Sequence, residues 1–317
     1  MKPSRCVRAA SLDALRMYVE LKGVVCVWGN IAMTTSAVRF ERNKGSKIVA
    51  QGYSFSDVFT GWSEGHESFV FFAPHDDDSV ISLGMVIRAA CAQNIPVRVV
   101  VVTDGRNGYV SLGDRDSIVE RRVQETYASY QLLGVAPKDI VFLNFPDGNL
   151  QNYYGRRLAN LGDPTDDHGF TGLENHFVRE LRHRVTIHRD AVAPTRIFVP
   201  SSADYHQDHV AVAQEIPISL YHAIGGIWPE CGEKLEKPPY LYWHCVYCKF
   251  SDAHEPNIRV VGDSSALGVK LHAIAEYNSQ GQIAPLIDQL KIAPPVEYLL
   301  EECFELFVPG VYDCCFR

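Results

Sequence analysis

At 317 residues, 46% hydrophobic and 21% charged, the chain is long enough to bury a substantial apolar core and carries no low-complexity tract, which argues against extended disorder. A net charge of -8 makes the whole chain a poor partner for a phosphate backbone, so nucleic acid is not the expected target. Nine cysteines, an odd number scattered along the chain, lack the dense even spacing of a disulfide-stapled secreted domain and read as reduced thiols of a cytoplasmic protein.

In chain order, Asp13 and Arg16 interrupt the apolar run that a signal peptide would need, and no later segment offers the roughly twenty uninterrupted apolar residues that cross a bilayer. Leu12 to Leu21 has helical spacing. Ala37 to Tyr53 reads as a hairpin, with Val38, Phe40, Ile48 and Ala50 flanking the turn Asn43-Lys44-Gly45-Ser46. This stretch lies outside the alternation that follows, so residues 1–66 are expected to be a small appended α/β element. Phe69 to Ala73 and Val97 to Val102 are short β-branched or aromatic runs. Between them Ser79 to Gln93 carries Val80, Leu83, Val86, Ile87 and Ala90 at helical spacing, which makes a βαβ unit. A helix over Asp116 to Leu133 stops at Gly134, and Ile140 to Phe145 is the next strand. A helix over Leu173 to Arg189 precedes the strand Arg196 to Pro200, and Val210 to His222 is helical again. The alternation predicts, for residues 67–317, an α/β domain with a mostly parallel, Rossmann-like sheet covered by helices on both faces.

Two polar segments interrupt this pattern. In Phe71-Phe72-Ala73-Pro74-His75-Asp76-Asp77-Asp78-Ser79 an imidazole and three carboxylates follow directly from an apolar strand. Carboxylates this close repel one another, so they need solvent, protons or a cation to coexist. A solvated acidic turn capping a helix and a metal site both satisfy that need. The second segment, Asp204-Tyr205-His206-Gln207-Asp208-His209, also sits between a strand and a helix. In a parallel sheet both segments reach the carboxyl edge, where open α/β proteins build their sites. Together they supply more than the three protein ligands a catalytic zinc takes, leaving a position for water.

These residues resemble the PIG-L/LmbE-like de-N-acetylases, which hydrolyse N-acetyl groups on glucosamine-containing compounds through a divalent metal, normally zinc. The family's His-Pro-Asp-Asp-Glu motif is matched by His75, Asp77 and Asp78, with Asp76 in place of Pro and Ser79 in place of Glu. Its His-x-Asp-His motif is matched by His206, Asp208 and His209. Weaker features follow in order: Arg122 and Glu125, Asp147-Gly148-Asn149-Leu150, Lys270, Ala273 and Ser279-Gln280, with Tyr277 where the family commonly has His. The resemblance implies that His75, Asp78 and His209 hold zinc, that Asp77 is the general base, and that His206 is the charged or proton-donating partner. It further implies that Arg122 and Asp147 contact the substrate. Asp208 is expected to orient His206. Whether Asp77 or His206 protonates the leaving amine stays open.

The implied partner is a small amino sugar or glycoconjugate, a soluble glycoside or antibiotic intermediate sooner than a glycolipid, with homo-oligomerisation left open. Specificity is expected in Asn149 to Gly172 and around Pro229 to Pro239. Arg106 reads equally as a cleft residue and as part of a plain turn. Two other classes compete. Asp76-Asp77-Asp78 contains the Asp-x-Asp pattern of manganese-dependent glycosyltransferases, which leaves His75, His206 and His209 unexplained. A non-catalytic metal or sugar-binding module leaves Asp77 without a role. Cys245 and Cys248 are expected on a strand continuing Tyr240-Leu241-Tyr242-Trp243, as small buried hydrophobes and not as a second zinc site or a redox pair.

Overall fold

A computed structural model describes residues 38–156, 172–251 and 255–304; the helix expected over Leu12 to Leu21 lies outside them. Strands β1 (Val38–Lys44) and β2 (Lys47–Gly52) form the expected hairpin, turning at Gly45 with φ +60°. The alternation then runs β3 (Phe69–Ala73), α1 (Asp78–Ala92), β4 (Val97–Thr103), α2 (Ile118–Leu133) and β5 (Ile140–Phe145). Helix α3 (Leu173–Leu181) is shorter than its apolar pattern predicts. The β-branched run Val185-Thr186-Ile187 leaves the helix and pairs as β6 (Val185–Ile187) with β7 (Asp190–Val192), turning at His188 and Arg189, both at positive φ. There follow β8 (Arg196–Pro200), α4 (Gln207–Gly225), β9 (Tyr240–His244), β10 (Ile258–Gly262), α5 (Ser264–Ala275), α6 (Ile283–Ile292) and β11 (Val296–Cys303).

Nine strands make one sheet in the order β2-β1-β10-β11-β9-β8-β3-β4-β5. From β9 to β5 all neighbours are parallel, and from β9 to β2 all are antiparallel. The sheet is therefore mixed, not mostly parallel. One helix between two strands carries the chain back for a parallel return, but α5 and α6 form a pair that brings it back to where it left: Gly262 N–H donates to Pro295 O at 2.8 Å. β11 then has to run against β10. The N-terminal hairpin joins this antiparallel half through the β1–β10 pairing and so extends the main sheet.

Period-two alternation divides the core between the two faces. Phe69, Phe71, Val99 and Val101 pack with Val80, Tyr130 and Ala273 on one side; Val70, Phe72, Val100 and Val102 pack with Phe177, Val212 and Ile216 on the other. Helix α2 ends as expected at Gly134, whose φ of +99° forms a left-handed cap. Helix α1 is broken at Leu83 (φ -133°, ψ 23°). The freed N–H groups of Met85 and Val86 donate to the Glu297 carboxylate of β11 at 2.9 and 3.0 Å, and Lys270 neutralises that carboxylate at 2.8 Å. Among the described residues no helix is long and apolar enough to cross a membrane.

Candidate active site

β3 stops at Pro74, whose carbonyl accepts the N–H and hydroxyl of Thr103 at 3.0 and 2.8 Å. This clip to β4 fixes the turn His75-Asp76-Asp77 that opens α1, and all four residues His75 to Asp78 are buried. His206 and His209 enter at the first turn of α4, after β8, so both motifs meet at the carboxyl edge of the parallel half.

His75 Nδ1, Asp78 Oδ2 and His209 Nε2 stand 3.1, 3.0 and 3.3 Å from one another. A tetrahedral ion with ligands at ~2.0 Å separates neighbouring donors by ~3.3 Å, so these three atoms are spaced as one face of such a site. The far nitrogen of each imidazole meets a carboxylate. His75 Nε2 lies 3.2 Å from Asp147 Oδ1 and 3.4 Å from Asp208 Oδ2, and His209 Nδ1 lies 3.2 Å from Asp204 Oδ2. Carboxylates in that position fix the ring and the tautomer of a metal-bound histidine. His206 stands perpendicular to His75 at 4.5 Å between ring centres and also brings a ring nitrogen within 4.8 Å of those of His75 and His209. The residues present fit a divalent cation.

The electrostatics agree. Burial opposes charge on the imidazoles, but Asp78 and its neighbours raise His75 well above its ordinary value, and Asp78 and Asp204 raise His209 to about 9. Burial likewise opposes the Asp78 carboxylate, yet His209 and His75 hold it well below the usual range. The field at the centre therefore favours positive charge. Asp77 is different: burial, then the adjacent Asp78, push it up to about 6 against the pull of Arg122. Burial, followed by His75 and His209, keeps His206 below its ordinary value, which disfavours the charged form expected of it.

Three residues are engaged otherwise than the sequence suggests. The Asp208 carboxylate does not reach His206; it accepts the N–H groups of Gly148 and Leu150 at 2.7 and 3.0 Å. The contact between the two is the Asp208 backbone N–H donating to His206 Nδ1 at 3.2 Å, a helix N-cap. Asp208 thus ties the β5 loop to α4. Asp147 turns Oδ1 to His75 and accepts Asn107 N–H on Oδ2 at 3.1 Å. Arg122 is buried and forked onto Asp76, with Nε donating to Oδ2 at 3.1 Å and Nη2 to Oδ1.

Sequence reasoning passed over Asp204, which anchors His209 and accepts the N–H groups of Val246 and Tyr247 at 3.3 and 3.4 Å. Its place at the head of the second motif was the available signal. Tyr247 packs its ring 5.1 Å from that of His209. Tyr277, the departure from the family pattern, donates its hydroxyl to Asp76 O at 2.7 Å. Cys245 and Cys248 are not on β9 but on the turn after it, half-buried. Arg106 pairs with Asp104 in its own turn. Of the two segments expected to set specificity, residues 157–171 lie outside the described residues, and Pro229 to Pro239 precede β9 at the amino edge, away from the histidines.

Residues 70–217 match the PIG-L family model, described as GlcNAc-PI de-N-acetylase. No curated protein matches the chain by sequence. Among solved structures the chain is similar to N,N'-diacetylchitobiose deacetylase from Pyrococcus horikoshii, with 19% identity over 78% of this chain and 85% of that one and a TM-score of 0.55. It is similar to a conserved protein from Thermus thermophilus, TT1542, with 20% identity over 77% of this chain and 98% of that one and a TM-score of 0.51. It is also similar to GalB, the 4-carboxy-2-hydroxymuconate hydratase from Pseudomonas putida KT2440, with 17% identity over 76% and 98% and a TM-score of 0.54. A deacetylase and a hydratase on one fold mean that the likeness carries architecture and leaves the reaction to the site.

Proposed function

We propose that the chain, whose residues 70–217 match the PIG-L family model, is a zinc-dependent hydrolase that removes an N-acyl group, acetyl first among them, from an amino-sugar-containing small molecule. The observation that carries this reading is the triangle of His75, Asp78 and His209 donor atoms at 3.0 to 3.3 Å, each imidazole backed by a carboxylate. A zinc ion held there would polarise the acyl oxygen and bring a bound water to a pKa near ~7.

The remaining work falls to the chain's own residues. Asp77 is excluded from the triangle and sits at about 6, high enough to hold a proton yet low enough to be free to take one near neutral pH. It removes the proton from the attacking water and returns it to the departing amine. His206, perpendicular to His75 and largely uncharged, donates a hydrogen bond to the oxygen on which negative charge develops. Asp147 and Asp208 keep His75 in one orientation, and Asp204 does the same for His209. The glycosyltransferase reading loses its footing because the Asp76 carboxylate is spent on Arg122 and Thr126.

The test is metal analysis followed by an amine-release screen over N-acetylglucosamine derivatives, with native protein beside Asp77→Asn. The expected result is zinc retained in both and amine release lowered about 10²- to 10⁴-fold in the variant. A native protein that binds zinc yet releases no amine from any candidate, with a variant that behaves identically, ends the reading.

A further inference from the structure

Arg122 would be the natural seat for an anionic group on the substrate, but that seat is filled from within. Arg122 and Asp76 are 6% and 4% exposed. Nε and Nη2 both go to the Asp76 carboxylate, Nη2 also lies 3.6 Å from Asp77 Oδ1, and Nη1 faces Gly105 O at 3.5 Å. The pair is enclosed on every side. Thr126 Oγ1 donates to Asp76 Oδ2 at 3.1 Å, and Tyr277 holds the Asp76 carbonyl. A Cβ at Gly105 or Gly108 would come within 2.8 or 2.2 Å of the guanidinium, so the loop after β4 is cut back to let Arg122 lie where it does. Asp76 stands where the motif this segment resembles has an uncharged proline, and it supplies the internal partner here.

Around the pair, the cationic groups among the described residues are already paired. Asp77, Asp78, Asp147, Asp204 and Asp208 converge on the same edge, the His75 and His209 imidazoles are held by Asp78, Asp147, Asp208 and Asp204, and Arg106 is paired with Asp104. An incoming phosphate or carboxylate would lose its water and find, among the described residues of the site, no free guanidinium to replace it. Specificity of this kind works by exclusion, through a like charge left standing against the wrong ligand.

We propose that Asp76 occupies the anion seat of Arg122 and thereby restricts the site to amino sugars that carry no phosphate or carboxylate beside the scissile amide. The substrate class rests on the deacylase reading; the exclusion of anions does not. The experiment therefore has two arms, run on native protein, Asp76→Asn, Arg122→Gln and the double variant, metal-free for phosphate binding so that zinc cannot itself hold the anion, and zinc-loaded for amine release. In the first arm inorganic phosphate is titrated calorimetrically. Asp76→Asn is expected to bind it at least about tenfold more tightly than native protein, with the gain lost in the double variant and no change in Arg122→Gln alone. In the second arm amine release from N-acetylglucosamine is compared with that from its 1-phosphate, whose anion adjoins the amide-bearing carbon, and native protein is expected to favour the uncharged sugar at least about tenfold in kcat/KM. Native protein that binds phosphate as tightly as Asp76→Asn overturns the proposal, as does a preference for the 1-phosphate. Should Asp76→Asn not fold, phosphate binding by native protein that weakens in Arg122→Gln overturns it equally. A phosphate result as expected, with no amine released from either sugar, upholds the filled seat and sinks the deacylase reading instead.

Discussion

Replacing Asp204 tests whether the carboxylates behind the imidazoles govern the metal site. Its Oδ2 faces His209 Nδ1 at 3.2 Å and the N–H groups of Val246 and Tyr247 at 3.3 and 3.4 Å, while Oδ1 accepts His206 N–H at 3.4 Å. Asparagine preserves the shape but offers one oxygen. That oxygen can serve the three donors or the one, never both, and the carboxylate charge behind His209 is lost in either case. Losing a carboxylate of this kind lowers metal affinity about 10- to 100-fold, or about 1.4 to 2.7 kcal/mol. Asp204→Asn, which keeps an acceptor for Nδ1, belongs at the lower end of that range, and Asp204→Ala at the upper end. Zinc competition against a chromophoric chelator reads the difference directly, with thermal melting of the metal-free proteins as a check on folding. Zinc affinity in Asp204→Ala within about twofold of native would refute the reasoning, because the imidazole would then be held by packing and not by its charged partner.

Three further changes probe the frame around the site. Glu67 is buried against Arg196, with Nε and Nη2 donating at 2.8 and 3.0 Å, so Glu67→Ala leaves an enclosed guanidinium without its paired carboxylate, on the neutral Tyr242 hydroxyl and Thr60 carbonyl. A loss of about 3 to 5 kcal/mol in urea unfolding is expected, and one below about 1 kcal/mol would contradict it. Gly134→Ala places a Cβ 2.9 Å from Cys91 Cβ at φ +99° and is expected to cost about 1 to 2 kcal/mol; an unchanged urea midpoint would count against the cap. Glu215 is buried, and burial, with Glu174 adding to it, raises its carboxyl from 4.5 to about 7 against the Gly155 N–H. The folded state thus binds the proton more tightly than the unfolded state. The resulting stability is present below pH 4.5 and is lost as pH rises through about 7. Glu215→Gln should remove that decline, so the Tm difference between variant and native grows in the variant's favour across this window; parallel curves would refute it.

Much of the fold could be read because one helix separates one strand from the next in the parallel half: Val80, Val86, Phe69 and Val99 each obey the period of their own element. The antiparallel half could not, because its direction depends on α5 and α6 together closing a round trip, and no periodicity records whether a helix pair returns to its origin. Charged residues straight after apolar strands announced both motifs, and the family resemblance, not a local pattern, implied that Asp78 and His209 converge, as they do at 3.0 Å. The Arg122–Asp76 fork spans 46 residues and the Asp208–Gly148 bond 60, contacts that only the assembled sheet brings together. Asp208 misled for a related reason. Adjacency to His206 suggested a local partner, whereas the first turn of a helix points its carboxylate away toward the neighbouring loop.

The interruption at Leu83 bears on how the site responds to a change of charge. A continuous helix would act as a rigid rod, carrying any displacement of its first turn along its whole length into the apolar layer beneath. With the ladder interrupted and its second segment anchored separately on Glu297, a change of charge at Asp78 is expected to be taken up at that break before it reaches the rest of the helix.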